Sequence, residues 1–318
     1  MHKLMPLMVF MGLALVSFAS ATPAHAQAPR TWVSRVGNDG NPCSTTAPCR
    51  TFAAAIAKTL VNGEINCVDP GGFDMVTITK SITIDCHDVF ASILNVGANG
   101  INILFDNFAP TDTRKTVRLR NLNINGLAAG LIGVNITGAV NAENSAVFIE
   151  DCLVGGMSAG ARRGISDTRT AGELSIANTT VRNIGGAAIV IAPVGDARRI
   201  EATLDGVRVQ NAELGIAIGR PARVLINRSL LSGHTTSGIE AIGGVELNID
   251  HSTITNNGTG VRAGGGAVIR LSNNNIAFNR TGIAGATTSF GNNRISGNTA
   301  AGTAPTAAGA ISTEFGQQ

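Results

Sequence analysis

The stretch "SGIEAIGGVELNIDHSTITNNGTGV", Ser237 to Val261, runs into a near copy of itself, "TGVRAGGGAVIRLSNNNIAFNRTGI", Thr259 to Ile283. Ile239, Leu247, Ile249, Ile254 and Val261 recur 22 residues later as Val261, Ile269, Leu271, Ile276 and Ile283, while the residues between them change. A fixed apolar frame over drifting polar positions marks an internal repeat, and repeats of this length build solenoids. Extended backwards, the pair becomes three columns. The first holds Leu119, Ile149, Ile176, Leu204, Ile226, Ile249 and Leu271. The second holds Ile124, Val154, Val181, Val209, Leu231, Ile254, Ile276 and Ile295. The third, usually preceded by Gly or Ala, holds Ile165, Ile189, Ile216, Ile239, Val261 and Ile283. Spacing in the first column is 22 or 23 late in the chain and 27 to 30 earlier, so insertions lie in the first half.

Each first-column residue follows another apolar residue two places back, as in Leu247-Asn248-Ile249. Alternation with period two specifies a strand with one face in and one face out. The strands are short, and Asn and Gly crowd the bends; after the second column come Asn183, Asn211, Asn256 and Asn279. Both residue types tolerate the left-handed backbone that a tight bend needs. Three short strands and three bends per repeat make one coil of a parallel β-helix. A lone coil cannot bury its apolar face, but coils stacked at about 4.8 Å extend one continuous core. A slip of one residue would turn every inward Ile outward, so the frame is a stacking register. Parallel crossovers make the coil right-handed. The leucine-rich, hexapeptide and calcium-binding nonapeptide patterns do not fit these columns. The predicted fold is all-β: a right-handed parallel β-helix over residues 64–300, of about eight to ten coils, with a short N-terminal capping α-helix.

That helix is read in "CRTFAAAIAKTLVNG", Cys49 to Gly63, where Phe52, Ile56 and Leu60 fall on one face, Thr51 caps and Gly63 ends it. Its task is to cover the open end of the first coil, within an N-terminal segment of residues 27–63. Ahead of it, "MHKLMPLMVFMGLALVSFASATPAHAQAPR" carries Lys3, an apolar run from Leu4 to Ser20, and a small-x-small site at Ala24-His25-Ala26. Residues 1–26 read as a secretory signal peptide, which places the rest of the chain outside the cytoplasm, in periplasm or medium. No later segment has the about 18 unbroken apolar residues of a spanning helix. Residues 301–318 read as a weakly structured, flexible tail.

The chain has 24 Lys and Arg against 21 Asp and Glu, with no basic block interleaved with aromatics, so no nucleic-acid partner is expected. Tyr is absent and Trp32 stands alone, which leaves few stacking platforms for sugars. Five cysteines fit an oxidising compartment. Cys43 and Cys49 bracket a Pro-containing loop and are expected to pair. Cys67 in "INCVD" and Cys86 in "IDCHD" hold matching places that stacking would bring together, leaving Cys152 over.

These coils resemble the right-handed parallel β-helix proteins of the pectin-lyase-like superfamily, over roughly residues 64–300. The front end, "NPCSTTAPCRTFAAAIAKT", is similar to that of a group of secreted bacterial β-helix proteins. The resemblance implies the fold. It does not imply one chemistry, because the superfamily spans polysaccharide lyases, glycoside hydrolases, epimerases, adhesins and phage spikes. The hydrolase pattern of paired Asp followed by Gly-His-Gly is absent, and "CVDPGG" at Asp69-Pro70 lacks the His of the epimerase pattern. "GMSAG", Gly156 to Gly160, matches a nucleophile elbow in letters only, since Ser158 lies in a bend with no following helix pattern.

Stacking aligns charges that the sequence scatters. Three residues before the first column stand Glu173, Glu201, Arg223 and Glu246, and one residue after it stand Arg120, Glu150, Asp205 and Asp250. These read mainly as a solvated face laced with cross-strand pairs. The early insertions "SAGARRGISDTRTAG" and "APVGDARRIEA" add Arg162, Arg163, Arg169, Arg198 and Arg199, with Asp167 and Asp196 among them, expected on one edge. Guanidinium forks suit carboxylates, so these five arginines are the candidate ligand-binding residues, with an acidic polysaccharide as the candidate partner. The leading expectation is a non-catalytic envelope or extracellular protein that presents a binding surface. The alternative is a polysaccharide lyase acting on uronate polymers; it would need a base, for which an arginine or His234 is available, and a uronate carboxylate neutralised by Arg or calcium. No metal site and no other cofactor are expected, and no catalytic residue is assigned.

Overall fold

A computed structural model describes residues 27–195 and 198–309; the signal-peptide reading, Asp196 and the last residues of the tail lie outside them. Every strand pairing among the described residues is parallel, and the coils wind into two sheets. One has 12 strands and runs from Ala28–Val33 through Glu246–Asp250 to Thr306–Ala307. The other has 18, because the long strands Thr180–Ile191 and Arg208–Ile218 run through a corner and join two ladders into one.

The three apolar columns stack as the repeat requires. In the 12-stranded sheet Leu119, Ile149, Ile176, Leu204, Ile226, Ile249 and Leu271 are register partners in unbroken succession. Ile124 to Ile295 do the same in the second column, and Ile165 to Ile283 in the third. All three columns point into one continuous core. The Gly that precedes the third column has a packing cause: a Cβ on Gly215 would stand 2.2 Å from the carbonyl oxygen of Gly238 in the next coil.

The stack is longer than the eight to ten coils expected. Its 12 rungs include Thr59–Cys67 and Ile82–Asp85, and before them Ala28–Val33, which lies ahead of the helix in sequence. At the other end, Thr288–Ser289 and Thr306–Ala307 carry the ladder into the segment read as a tail. Those end rungs bear Thr, Ser and Ala in place of Ile and Leu, so the first apolar column does not mark them.

Helix α1, Phe52–Lys58, is shorter than predicted. Thr51 caps it as expected, its side chain accepting from the Ala54 N–H at 3.1 Å, and Phe52 packs on Phe73 with ring centroids 5.2 Å apart. At Thr59 the chain turns extended and enters the second rung. Leu60 is therefore an exposed strand residue, not part of the helix's apolar face, and Gly63 lies within the strand instead of ending the helix.

The corners follow a two-position rule. Two residues after the second column the backbone is left-handed at Gly156, Asn183, Asn211, Gly233, Asn256, Phe278 and Gly297. One residue further on, the side chain turns inward. Asn279 belongs to this inner position, so the left-handed place in its coil falls to Phe278. Here Met157, Ile184 and Ala212 give way to His234, and then to a ladder of Asn257, Asn279 and Asn298. Each Asn oxygen accepts the N–H of the preceding ladder residue, at 3.0, 3.0 and 2.8 Å in turn. Disulfides join Cys43 to Cys49 and Cys67 to Cys86, with Cα atoms 4.6 and 4.9 Å apart. Cys152 is free and buried at the inner position of the corner after the first column.

Candidate functional site

The outer face of the 12-stranded sheet carries three outward columns between its inward ones. The middle one runs Phe148, Ser175, Thr203, Leu225 and Asn248, one residue per coil. Beside it, Glu173, Glu201, Arg223 and Glu246 are register partners on four successive coils. The bends that lead into these strands rise alongside and enclose an open groove of about 720 Å³. Thr203, Leu225 and Asn248 form its floor; Arg198, Arg199, Arg223, Glu143, Glu173 and Glu201 form its walls.

The charges in the groove are interlocked. Arg223 Nη2 lies 3.1 Å from Glu246 Oε1 on the next coil, and its Nη1 lies 3.9 Å from Glu201 on the previous one. Arg199 reaches in from the bend to Glu201 at 2.6 Å, and Arg198 pairs with Glu143. The hydrogen bond from Arg223, aided by the field of Arg199 and Arg270, holds the Glu246 carboxyl below its ordinary value. Glu246 is thus a permanent acceptor and unsuited to donate a proton near neutrality. All of these ion pairs are about half exposed, so each guanidinium can exchange its carboxylate for another at little cost.

Arg169 does not join this edge as a ligand-binding residue. It is 0% exposed and locked to Asp167 at 2.6 Å, to Ser145 Oγ at 2.6 Å and to the carbonyl of Glu173 at 2.9 Å, with its guanidinium 5.1 Å from the Phe105 ring centroid. A buried arginine must find acceptors on every side, and here they include backbone that lines the groove. Arg169 therefore braces the wall from beneath. Nor do the five candidate arginines share one edge. Arg162 and Arg163 precede strand Arg163–Asp167 or open it, while Arg198 and Arg199 follow the strand paired with it, at the opposite end. Arg162 donates to the carbonyl of Ala159 at 3.0 Å, and Arg163 to Ser166 Oγ at 3.2 Å.

The remaining candidates separate in space. His234 is 2% exposed, and burial pushes its pKa down to about 4, opposed only in part by the backbone of Val209 and Ala212 beside the ring. It faces the interior and cannot serve as a base for anything in the groove. Ser158 is exposed in a bend that leads into a strand, so the helix of a nucleophile elbow is missing. The charge column after the first apolar column is self-paired: Arg120 bridges Asp85 at 2.9 Å and Glu150 at 3.0 Å, and Asp250 accepts from Ser272 at 2.7 Å. Among the described residues no group of three His, Cys, Asp or Glu could hold a metal ion. Glu201 and Glu246 are each engaged by arginine, which makes the groove a poor fit for calcium. Sequence reasoning listed Arg223 only as one charge in a solvated column and missed Glu143, Thr203, Leu225 and Asn248. Register was the available signal, since all but Glu143 lie on outward positions of stacked strands.

A family model described as "Right handed beta helix region" matches residues 163–315. Among solved structures, the pectate lyase Pel9A is similar at a TM-score of 0.56 and 14% identity, covering 88% of this chain and 82% of its own. The A-module of the Azotobacter vinelandii mannuronan C-5 epimerase AlgE4 is similar at a TM-score of 0.37 and 14% identity, over 78% of this chain and 91% of its own. No curated protein matches the sequence. Identities this low speak to fold and leave chemistry to the residues.

Proposed function

On the premise of a right-handed parallel β-helix with a pectin-lyase-like fold, we propose that the protein is exported and binds an acidic glycan in the groove without turning it over. The observation that carries this reading is the set of three arginines, Arg198, Arg199 and Arg223, gathered along one open groove in exchangeable ion pairs. A uronate carboxylate can take the place of Glu201 or Glu143 on a guanidinium fork. Sugar hydroxyls find acceptors in the released carboxylates and further partners in Thr203 and Asn248. Leu225, 40% exposed on the floor, offers an apolar contact for a ring's C–H face. Coils repeat at about 4.8 Å, so the floor presents a regular track for an extended chain. The two disulfides suit an oxidising compartment, which supports export.

A lyase must remove the proton beside the uronate carboxylate, and the groove's arginines are protonated donors that keep their charge at any ordinary pH. The test is incubation with a panel of uronate polysaccharides, with and without calcium, following the absorbance of new C=C bonds and the appearance of reducing ends. Retention of the glycan with neither signal is expected; either signal, lost in Arg198→Ala/Arg199→Ala, would establish catalysis instead.

A further inference from the structure

A second cleft, of about 280 Å³, lies on the 18-stranded sheet, where bends lead into strands Ser237–Ala241, Thr259–Ala263 and Thr281–Ala284. Its lining is polar: the hydroxyls of Thr235, Thr236, Thr259 and Thr281, and the guanidiniums of Arg262 and Arg280. Register builds it. Ser237, Thr259 and Thr281 stack on successive coils, Arg262 points outward from the middle strand, and Arg280 sits in the bend that delivers Thr281. The hydroxyls of Thr235 and Thr236 are held in place by donating to the carbonyl of Glu213, at 3.4 and 2.7 Å.

These two arginines differ from those of the groove. Arg198, Arg199 and Arg223 each hold a carboxylate. Arg262 stands in register with Glu240 of the preceding coil, yet no ion pair within 4.0 Å joins them, and Arg280 likewise has no ion pair among the described residues. Two cations brought into one cleft with no carboxylate bonded to either repel each other, and an anion between them removes that cost. Guanidinium forks, with the hydroxyls of Thr259 and Thr281 beside them, match the several acceptor oxygens of a tetrahedral oxyanion. We infer that this cleft binds a sulfate or phosphate group, either as the inorganic ion or as an ester on a glycan. It is separate from the groove, and neither site depends on the other being right.

The experiment is a calorimetric titration of the full oxidised chain with sulfate and with phosphate, at ionic strength held constant with chloride. A sulfated polysaccharide and its desulfated counterpart follow. Saturable binding of at least one anion is expected, weakened about tenfold or more in Arg262→Gln/Arg280→Gln. Both residues are exposed, so an unchanged thermal midpoint identifies the variant as folded, and its binding of a uronate polymer stays at the wild-type level. Tighter binding of the sulfated chain than of inorganic sulfate assigns the ester as the ligand; the reverse assigns the free ion. Binding no stronger than chloride's, or equal in the variant and the wild type, would overturn the inference.

Discussion

The side-chain oxygen of Asn257 accepts the backbone N–H of His234 at 3.0 Å, one coil earlier, while its amide donates to the carbonyl of Leu231 at 3.2 Å and to Asn279 Oδ1 at 2.9 Å. All of these groups are buried. A corner of the coil leaves backbone donors and acceptors that no strand satisfies, and one buried amide per coil answers them. Replacing Asn257 by Ala orphans at least two such groups. Asn257→Ala is expected to lower stability by about 2–4 kcal/mol, read as a fall in the urea midpoint with an unchanged slope. Loss of less than about 0.5 kcal/mol would mean that water takes the place of the ladder.

His234 tops that ladder with a buried imidazole, and acid should find it first. The unfolded chain takes up a proton on this imidazole near pH 6.5, whereas the folded chain resists until about 4. Stability is therefore full above pH 6.5 and falls as the pH drops from there towards 4, by about 3 kcal/mol in all. Asp205, Glu246 and Asp250, whose folded pKa values are lowered, begin to lose their contribution only near the foot of that window, as the pH falls through the unfolded values of 4.5 for Glu246 and 3.8 for the two Asp. Unfolding free energies measured between pH 7 and 5, above the range of the carboxylates, should show the slope in the wild type and a flat line in His234→Asn. The same slope in both would place the proton elsewhere.

Cysteine accounting gives a third check. Of five cysteines, four are paired and Cys152 is free, with burial pushing its thiol up to about 12. A neutral, buried thiol is a poor nucleophile. The native protein should react with a colorimetric thiol reagent at pH 8 far more slowly than a free thiol, and unfolding without reductant should release one thiol per chain. Three or five thiols on unfolding would refute the pairing of Cys43 with Cys49 or of Cys67 with Cys86.

How much of this could be read from the chain depended on whether a feature repeats. Ile249 over Leu271 is a periodic fact, and periodicity carried it, together with the outward columns of Glu201, Arg223 and Glu246. Thr288 and Ser289 sit in the same sheet without an apolar signature, and so the ladder's continuation to Thr306–Ala307 has no periodic mark in the sequence. Arg169 looked like its neighbours Arg162 and Arg163, because no sequence pattern says that Phe105, Ser145 and Asp167 will close around it. Arg198 and Arg199 stand out in the sequence by their charge, but the Glu143 carboxylate that Arg198 holds is brought near only by the folded coil. Contacts within the stacking frame were legible; those made by bends that depart from it were not.

The groove reading is tested most directly by titrating the protein with a uronate oligosaccharide in a calorimeter, wild type beside Arg199→Ala/Arg223→Ala. Saturable binding in the wild type, weakened about tenfold or more in the variant and falling with added salt, is the predicted result. Absence of binding in the wild type, or equal binding by both, would contradict the assignment of this groove to an acidic glycan.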